Sequence, residues 1–272
     1  MKILVTGGTG FIGNHLVKKL LSDEHELVVT ATSAEKAKKN EWFNHVQFEE
    51  LDITNVKKSF FEKCTGIDKV IHLIWSGLPN YKDLFHVEEN LMPQYFFIKN
   101  LVQSGITDIT ITGTCFEYGM NNGALAPDRL TDPQNPYALA KDTLRKFLQQ
   151  LQQKHPFKLK WLRLFYMFGE GQSEKSILSL LDKALANGDT TFNMSGGEQL
   201  RDYLPIEEVV KQIANYAVNQ EGNCISNICS GMPISIRNLV ENYLKKNNKS
   251  IFLNLGYYPY PDYEPMAFWG KC

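Results

Sequence analysis

Cysteine is scarce in this chain: five in 272 residues, at positions 64, 115, 224, 229 and 272, with no C-x-x-C pair and an odd total. Neither a disulfide framework nor a zinc site is indicated, so free thiols and no bound metal are expected. No apolar stretch approaches the roughly 20 residues of a membrane span. Residues 1–13 also lack the basic start and cleavage pattern of a secretion signal, and a cytoplasmic protein without a membrane partner is expected. Charge of one sign is missing as well. With 29 basic and 30 acidic residues the formal net charge is −1, which leaves no electrostatic footprint for nucleic acid. No internal repeat or low-complexity tract interrupts the sequence, and its length allows one large core with a smaller lobe.

What is present is organised around the opening stretch Ile3-Leu4-Val5-Thr6-Gly7-Gly8-Thr9-Gly10-Phe11-Ile12-Gly13. The apolar run reads as a buried parallel strand, and the glycines allow a tight turn with close backbone approach to phosphate. A helix should begin near Gly10, because Phe11, Ile12, Leu16 and Leu20 recur at helical spacing. Its free N–H groups and positive dipole end then face a pyrophosphate. A glycine-rich turn without a ligand is the bland alternative. Strand before, helix after, and the overlapping spacings Gly8-x-Gly10-x-x-Gly13 and Gly7-x-x-Gly10-x-x-Gly13 favour a dinucleotide.

Residues 26–30 read as the second strand. An acidic residue is expected about 20 residues past the glycines, to hold the adenine ribose. Ala31, Thr32 and Ser33 stand there instead, with Lys36 one turn later. No carboxylate repels a 2′-phosphate, so NADPH is favoured with NAD as the alternative, although Lys36 also suits a solvated helix face. A third strand covers residues 46–48, and Asp52 after it either accepts from the adenine amino group or caps a helix starting near Asn55. Residues 69–74 make a central strand in which His72 is a core histidine; Trp75 to Tyr81 form a loop at its carboxyl end, the ligand edge of open sheets.

A helix over 90–101 leads to a strand over 106–112, which ends in Thr112-Gly113-Thr114-Cys115. The Asn-, Asp- and Pro-rich residues 121–136 read as a loop before a helix starting at Tyr137 and a strand over 158–165. This alternation predicts an α/β fold with a doubly wound parallel sheet. Residues 1–165 would form the dinucleotide-binding domain, rejoined by about 206–231 with a helix and a strand at 225–229. Residues 166–205, including a helix over 174–187, and 232–272 would form a smaller C-terminal substrate lobe.

Asn135-Pro136-Tyr137-Ala138-Leu139-Ala140-Lys141 is the second informative stretch. Residues four apart share a helix face, so the Lys141 ammonium can stand beside the Tyr137 phenol and lower its pKa toward working pH. Tyr-x-x-x-Lys also occurs by chance on amphipathic helices. Here it accompanies a dinucleotide turn and a strand ending in hydroxyls.

Together these motifs resemble the extended short-chain dehydrogenase/reductases, the group of nucleotide-sugar epimerases, dehydratases and reductases, along most of the chain. Thr6 to Gly13 is similar to the family's cofactor turn, Leu51-Asp52-Ile53 to its adenine contact, and Val70-Ile71-His72-Leu73 to its fourth strand. Thr114 ahead of Tyr118-Gly119, with Tyr137 and Lys141, matches its catalytic residues. Leu162-Arg163-Leu164-Phe165 with Gly169 resembles the strand beside the nicotinamide. Arg201-Asp202-Tyr203 resembles the motif whose arginine contacts the substrate diphosphate, and Asn227-Ile228 with Ser230-Gly231 a later landmark. The resemblance implies a Rossmann-like fold. It implies a cofactor site of Gly7, Thr9, Gly10, Phe11, Ile12, Gly13, Thr32, Ser33, Lys36, Asp52, Ile53, Leu73, Ile74 and Thr112 together with Tyr137 and Lys141. A nucleotide-diphosphate sugar would meet Trp75, Ser76, Cys115, Tyr166 and Arg201. It further implies a homodimer through the helices at 90–102 and 137–153, and relatives continue past the position of Cys272 with a last surface helix.

Departures from the family pattern narrow the chemistry. The 4,6-dehydratases follow the catalytic Thr with Asp and Glu; here Cys115 and Phe116 follow, and Glu117 is one place too far, so loss of water is not expected. Tyr166 replaces the Asn of many epimerases. Residues 112–118 and the ending Tyr263-Glu264-Pro265-Met266-Ala267-Phe268-Trp269 look most like reductases of dTDP-4-keto-6-deoxyhexoses. Hydride transfer from NAD(P)H to C4 of such a sugar is the expected reaction, with a nucleotide-sugar 4-epimerase and a catalytically silent NAD(P)-sensing protein as alternatives.

Overall fold

The structure is a computed structural model that describes residues 1–272. In chain order its strands are β1 (Lys2–Thr6), β2 (Glu26–Ala31), β3 (Gln47–Glu50), β4 (Lys69–His72), β5 (Asp108–Thr114), β6 (Gly123–Leu125), β7 (Lys158–Leu164), β8 (Tyr166–Phe168), β9 (Thr191–Asn193), β10 (Leu200–Pro205), β11 (Cys224–Ile228), β12 (Pro233–Ser235), β13 (Phe252–Asn254) and β14 (Phe268–Gly270). The helices are α1 (Phe11–Ser22), α2 (Ala34–Ala37), α3 (Lys58–Lys63), α4 (Leu91–Gln103), α5 (Pro136–Gln152), α6 (Ile177–Asn187), α7 (Ile206–Asn219) and α8 (Ile236–Lys246).

Seven strands pair in parallel in the order β11-β7-β5-β4-β1-β2-β3. Their near-continuous apolar runs are the sequence of strands covered on both faces, and Ile3, Leu4 and Val5 are fully buried. Leu16 and Leu20 of α1 pack with Val209 and Ile213 of α7 over one face. Phe60 of α3, Phe97 and Leu101 of α4, and Leu144 and Leu148 of α5 cover the other. The chain leaves β3 at one edge and returns past β1 to β4, so strand order reverses between β1 and β4. At such a reversal the connections diverge to opposite faces and open a crevice beyond the carboxyl ends.

A second core gathers Leu178, Leu181, Phe192, Leu239 and Val240. It is bordered by a three-stranded sheet of β12-β10-β8 and the parallel pair β9 and β13. Two differences from the sequence reading concern pairing over long separations. Residues 121–136 are not loop throughout, since β6 pairs with β14 in the register Gly123↔Phe268. Cys229 and Cys272 form a disulfide with Cα atoms 6.4 Å apart, which corrects the expectation of thiols at those two positions. Helix α6 begins at Ile177 rather than near 174, because the Ser176 side chain caps it. No helix is long and apolar enough to cross a membrane.

The glycine turn is closed by contact between its own ends. A Cβ on Gly13 would stand 2.1 Å from the Gly7 carbonyl oxygen, and Gly7 has φ +79°. Gly13→Ala should therefore push α1 off the turn and cost about 1–3 kcal/mol of stability. Urea unfolding checks this, and an unchanged midpoint would contradict the packing described.

Candidate active site

The crevice is built first from β1, the glycine turn and α1. Gly7 and Gly8 donate their N–H groups to the Thr30 carbonyl, and Gly10 donates to Gly7, which folds the turn back over β2. Gly10 is the N-cap of α1 and offers no capping side chain. The N–H groups of Phe11, Ile12 and Gly13 consequently find no acceptor within the chain. Unpartnered donors at the positive end of a twelve-residue helix fit a diphosphate. Phe11 and Ile12 serve here through their backbone, as Ile12 packs on the core and Phe11 lies edge-on to His15.

Gly7, Thr9, Gly10, Thr32, Asp52, Ile53, Leu73, Ile74, Trp75 and Ser76 line one continuous cleft. Asp52 Oδ1 accepts from the Thr54 N–H and hydroxyl, at 2.9 and 2.8 Å, so the carboxylate caps its own turn. Helix α3 starts at Lys58 instead of Asn55, which removes the helix-cap reading. Ser33 and Lys36 fall outside the cleft lining: the Ser33 hydroxyl accepts the Lys36 N–H as the cap of α2. The acidic residue missing from β2 is supplied by β3. Glu50 pairs in register with Ala31 and its Oε2 accepts the Ala34 N–H at 3.0 Å, bridging over Thr32 and Ser33. Glu50 thus brings a carboxylate to the turn that follows β2.

Thr114, Tyr137 and Lys141, the residues expected to be catalytic, come from β5 and α5. Asn135 caps α5 by accepting the Ala138 N–H at 2.9 Å, and Pro136 takes the first turn, where its missing N–H costs nothing. Tyr137 is thereby fixed one turn ahead of Lys141. The Lys141 ammonium donates to the Thr112 carbonyl at 2.8 Å and lies 4.2 Å from the centre of the Trp75 ring. Thr114 ends β5, and its side chain and that of Glu117 satisfy each other's backbone donors in a capping box. Glu117 is in turn held by Trp161 and by Arg163, 2.7 Å away, in a fully buried network.

Burial dominates the electrostatics. The Lys141 amine is driven down to about 7, with Glu117 opposing. The Tyr137 phenol is pushed up, not down as expected from its neighbour, because its burial outweighs the hydrogen bond with Thr114. The Cys115 thiol is likewise raised by burial. Trp75, Tyr81 and His86 surround the Tyr137 ring at centroid distances of 5.9, 5.5 and 5.3 Å. Such a dry pocket strengthens any hydrogen bond formed inside it.

On the far side Tyr166 and Arg201 are joined through Glu264. The Tyr166 hydroxyl donates to Glu264, and the same carboxylate oxygen accepts from Arg201 Nε at 3.0 Å. Arg201 is 2% exposed, its Nη1 spent on the Leu200 and Met266 carbonyls. Its Nη2 is the nitrogen left without an acceptor in the chain.

A model of the NAD dependent epimerase/dehydratase family matches residues 3–229. The chain belongs to that family. It is 29% identical, over 99% of both chains, to dTDP-6-deoxy-L-talose 4-dehydrogenase (NAD(+)) of Aggregatibacter actinomycetemcomitans. Over 91% of this chain and 82% of the other it is 28% identical to dTDP-4-dehydro-6-deoxyglucose reductase of Escherichia coli. In fold it is similar to UDP-glucuronic acid 4-epimerase from Bacillus cereus, solved with UDP-glucuronic acid and NAD, at TM-score 0.81 and 23% identity over 100% and 90% of the two chains.

Several residues of this epimerase/dehydratase site escaped the sequence reading. Asn90 lines the cleft and exchanges hydrogen bonds with Ser76, yet nothing in its local pattern marks it. Glu50 and Glu264 act across strands or over long separations. Glu117 was legible, since Thr114-x-x-Glu117 is a capping-box spacing.

The lowered Lys141 value has a direct consequence for stability. Between pH 7 and the ordinary lysine value of 10.5 the unfolded chain binds a proton that folded Lys141 does not. Stability must therefore rise with pH through that window and fall as pH drops to 7. Lys141→Met removes this dependence, so the melting temperature of the parent should climb relative to the variant from pH 7 to pH 10. Parallel curves would contradict a desolvated amine.

Proposed function

We propose that this protein is a cytoplasmic nucleotide-sugar 4-ketoreductase, which uses NADH to reduce C4 of a dTDP-linked 4-keto-6-deoxyhexose for deoxysugar precursor synthesis. The observation that carries the reading is the company of Thr114. Tyr137 and Lys141 stand beside it, while Cys115 and Phe116 follow it, one with a thiol held protonated and the other without a titratable group. Such a site can move one proton at a carbonyl but has no acid and base pair to expel water. The two relatives named above act on dTDP-6-deoxyhexoses, which supports the same substrate class here.

When bound, the reduced nicotinamide supplies the hydride. Thr114 and Tyr137 hydrogen-bond the carbonyl oxygen, and the Tyr137 phenol, held protonated by burial, gives up its proton as alkoxide character grows. Lys141 takes the nicotinamide ribose and compensates the charge left on the phenol. The sequence alone favoured NADPH. Glu50 beside Ala34 supports NADH instead, because a dianionic 2′-phosphate would meet a carboxylate there.

Residues 166–205 and 232–272 would serve as the substrate lobe over the strand ends. A homodimer through α4 and α5 is supported by exposed Met92, Phe96, Leu139 and Phe147 on those helices.

Tyr137→Phe should abolish turnover of dTDP-4-keto-6-deoxyglucose, at least 100-fold in kcat on the scale of general acid catalysis, and leave NADH affinity within about twofold. The parent should consume one NADH per sugar, where an epimerase would consume none. Turnover by the variant at the parent rate would overturn the assignment.

A further inference from the structure

A chain of buried polar side chains runs from the end of β1 to the cleft beside the glycine turn, and Thr114, Tyr137 and Lys141 take no part in it. The hydroxyl of Thr6, the last residue of β1, accepts the Leu73 N–H at 3.3 Å. The same hydroxyl lies 2.8 Å from His72 Nδ1, and His72 Nε2 lies 2.6 Å from Gln94 Oε1. Gln94 Nε2 donates to Asn90 Oδ1, and Asn90 Nδ2 donates to the Ser76 carbonyl, each over 3.3 Å. Thr6, His72, Gln94 and Asn90 are all buried, and Asn90 and Ser76 line the cleft with Gly7 and Gly10. The His72 ring lies 5.4 Å from the ring of Phe97, among core side chains that need no hydrogen bond. Polar groups at such a place cost desolvation unless each is paired.

The direction of the chain follows from its cleft end. The Ser76 carbonyl can only accept, so Asn90 must turn Nδ2 to it and present Oδ1 to Gln94. Gln94 must then offer Nε2 to Asn90 and Oε1 to His72, which puts the imidazole proton on Nε2 and leaves Nδ1 to accept from the Thr6 hydroxyl. Burial drives the His72 imidazole down to about 4, so the ring stays neutral near pH 7 and carries that single proton. The Asn90 amide is thereby held in one orientation. It ends a π turn, His86–Asn90, and stands one turn ahead of Gln94 on the same helix face. Its Nδ2 carries a second hydrogen that has no acceptor in the chain.

Resting on the dinucleotide site of the reading above, we infer that His72 and Gln94 are positioning residues for the cofactor: the chain they complete keeps the Asn90 amide turned so that its spare N–H serves an acceptor atom of the bound dinucleotide. Neither His72 nor Gln94 lines the cleft, and both act through Asn90.

Titration of NADH fluorescence against the full chain, well below the melting temperature of each variant, tests this. Gln94→Met and His72→Phe keep the volume and break the chain, and each should weaken NADH binding about fivefold or more, the scale of one lost hydrogen bond. Because one break undoes the whole chain, the double variant should lose no more than either single one. His72→Gln, whose amide can still donate to Gln94, should recover part of the loss. In turnover the effect should fall on the KM for NADH more than on kcat. A merely structural role lowers melting temperatures and leaves NADH affinity unchanged, or gives losses that add in the double variant; either result would overturn the inference. The titration needs no sugar, so the expected NADH losses in a protein that reduces no 4-keto sugar would support the inference and count against the reductase reading alone.

Discussion

The hydrogen bond from the Lys141 ammonium to the Thr112 carbonyl joins α5 to β5, and Thr114, Tyr137 and Lys141 all hang from one or the other. β5 is buried along its whole length, so its register with β4 and β7 cannot slip without turning its side chains to the opposite face. That register delivers Thr114 to the sheet's carboxyl edge. Asn135 and Pro136 start α5 where Tyr137 meets the same edge, and the ammonium one turn later locks the two elements together. Removing a lysine from water is unfavourable; the carbonyl and the face of Trp75 compensate in part, and burial brings the amine down to about 7.

This burial gives the pocket its chemical direction. A phenol surrounded by Trp75, Tyr81 and His86 keeps its proton until a carbonyl oxygen begins to gather charge, which suits a donor in reduction. Two buried ion pairs flank these groups, Glu117 with Arg163 beneath Thr114 and Glu264 with Arg201 beside β10. The first holds Thr114 through its capping box, and the second ties Glu264 to β10.

Much of the frame was legible because it depends on local pattern. Apolar runs marked the parallel strands, the glycines of 7–13 marked the turn, and Asn135-Pro136 marked the start of α5, since each is a property of a few adjacent residues. Pairings between distant residues left no such mark. The partner of Arg201 lies 63 residues away, that of β6 lies in β14, and Cys229 meets Cys272 from 43 residues away. Glu50 was missed because a carboxylate was sought only at the end of β2, whereas the sheet brings one beside that turn from the next strand. The direction of the Tyr137 shift was misjudged for another reason. Spacing reports the neighbouring charge, but the depth at which a phenol is buried belongs to the folded chain.

Isotope tracing reaches the central claim most directly. Dihydronicotinamide deuterated at C4, incubated with enzyme and dTDP-4-keto-6-deoxyglucose, should place one deuterium on sugar C4 in the product, read by proton NMR as loss of the H4 signal. A product with protium at C4, or a sugar left as the ketone while cofactor is bound, would contradict a hydride passed across the mouth of this site.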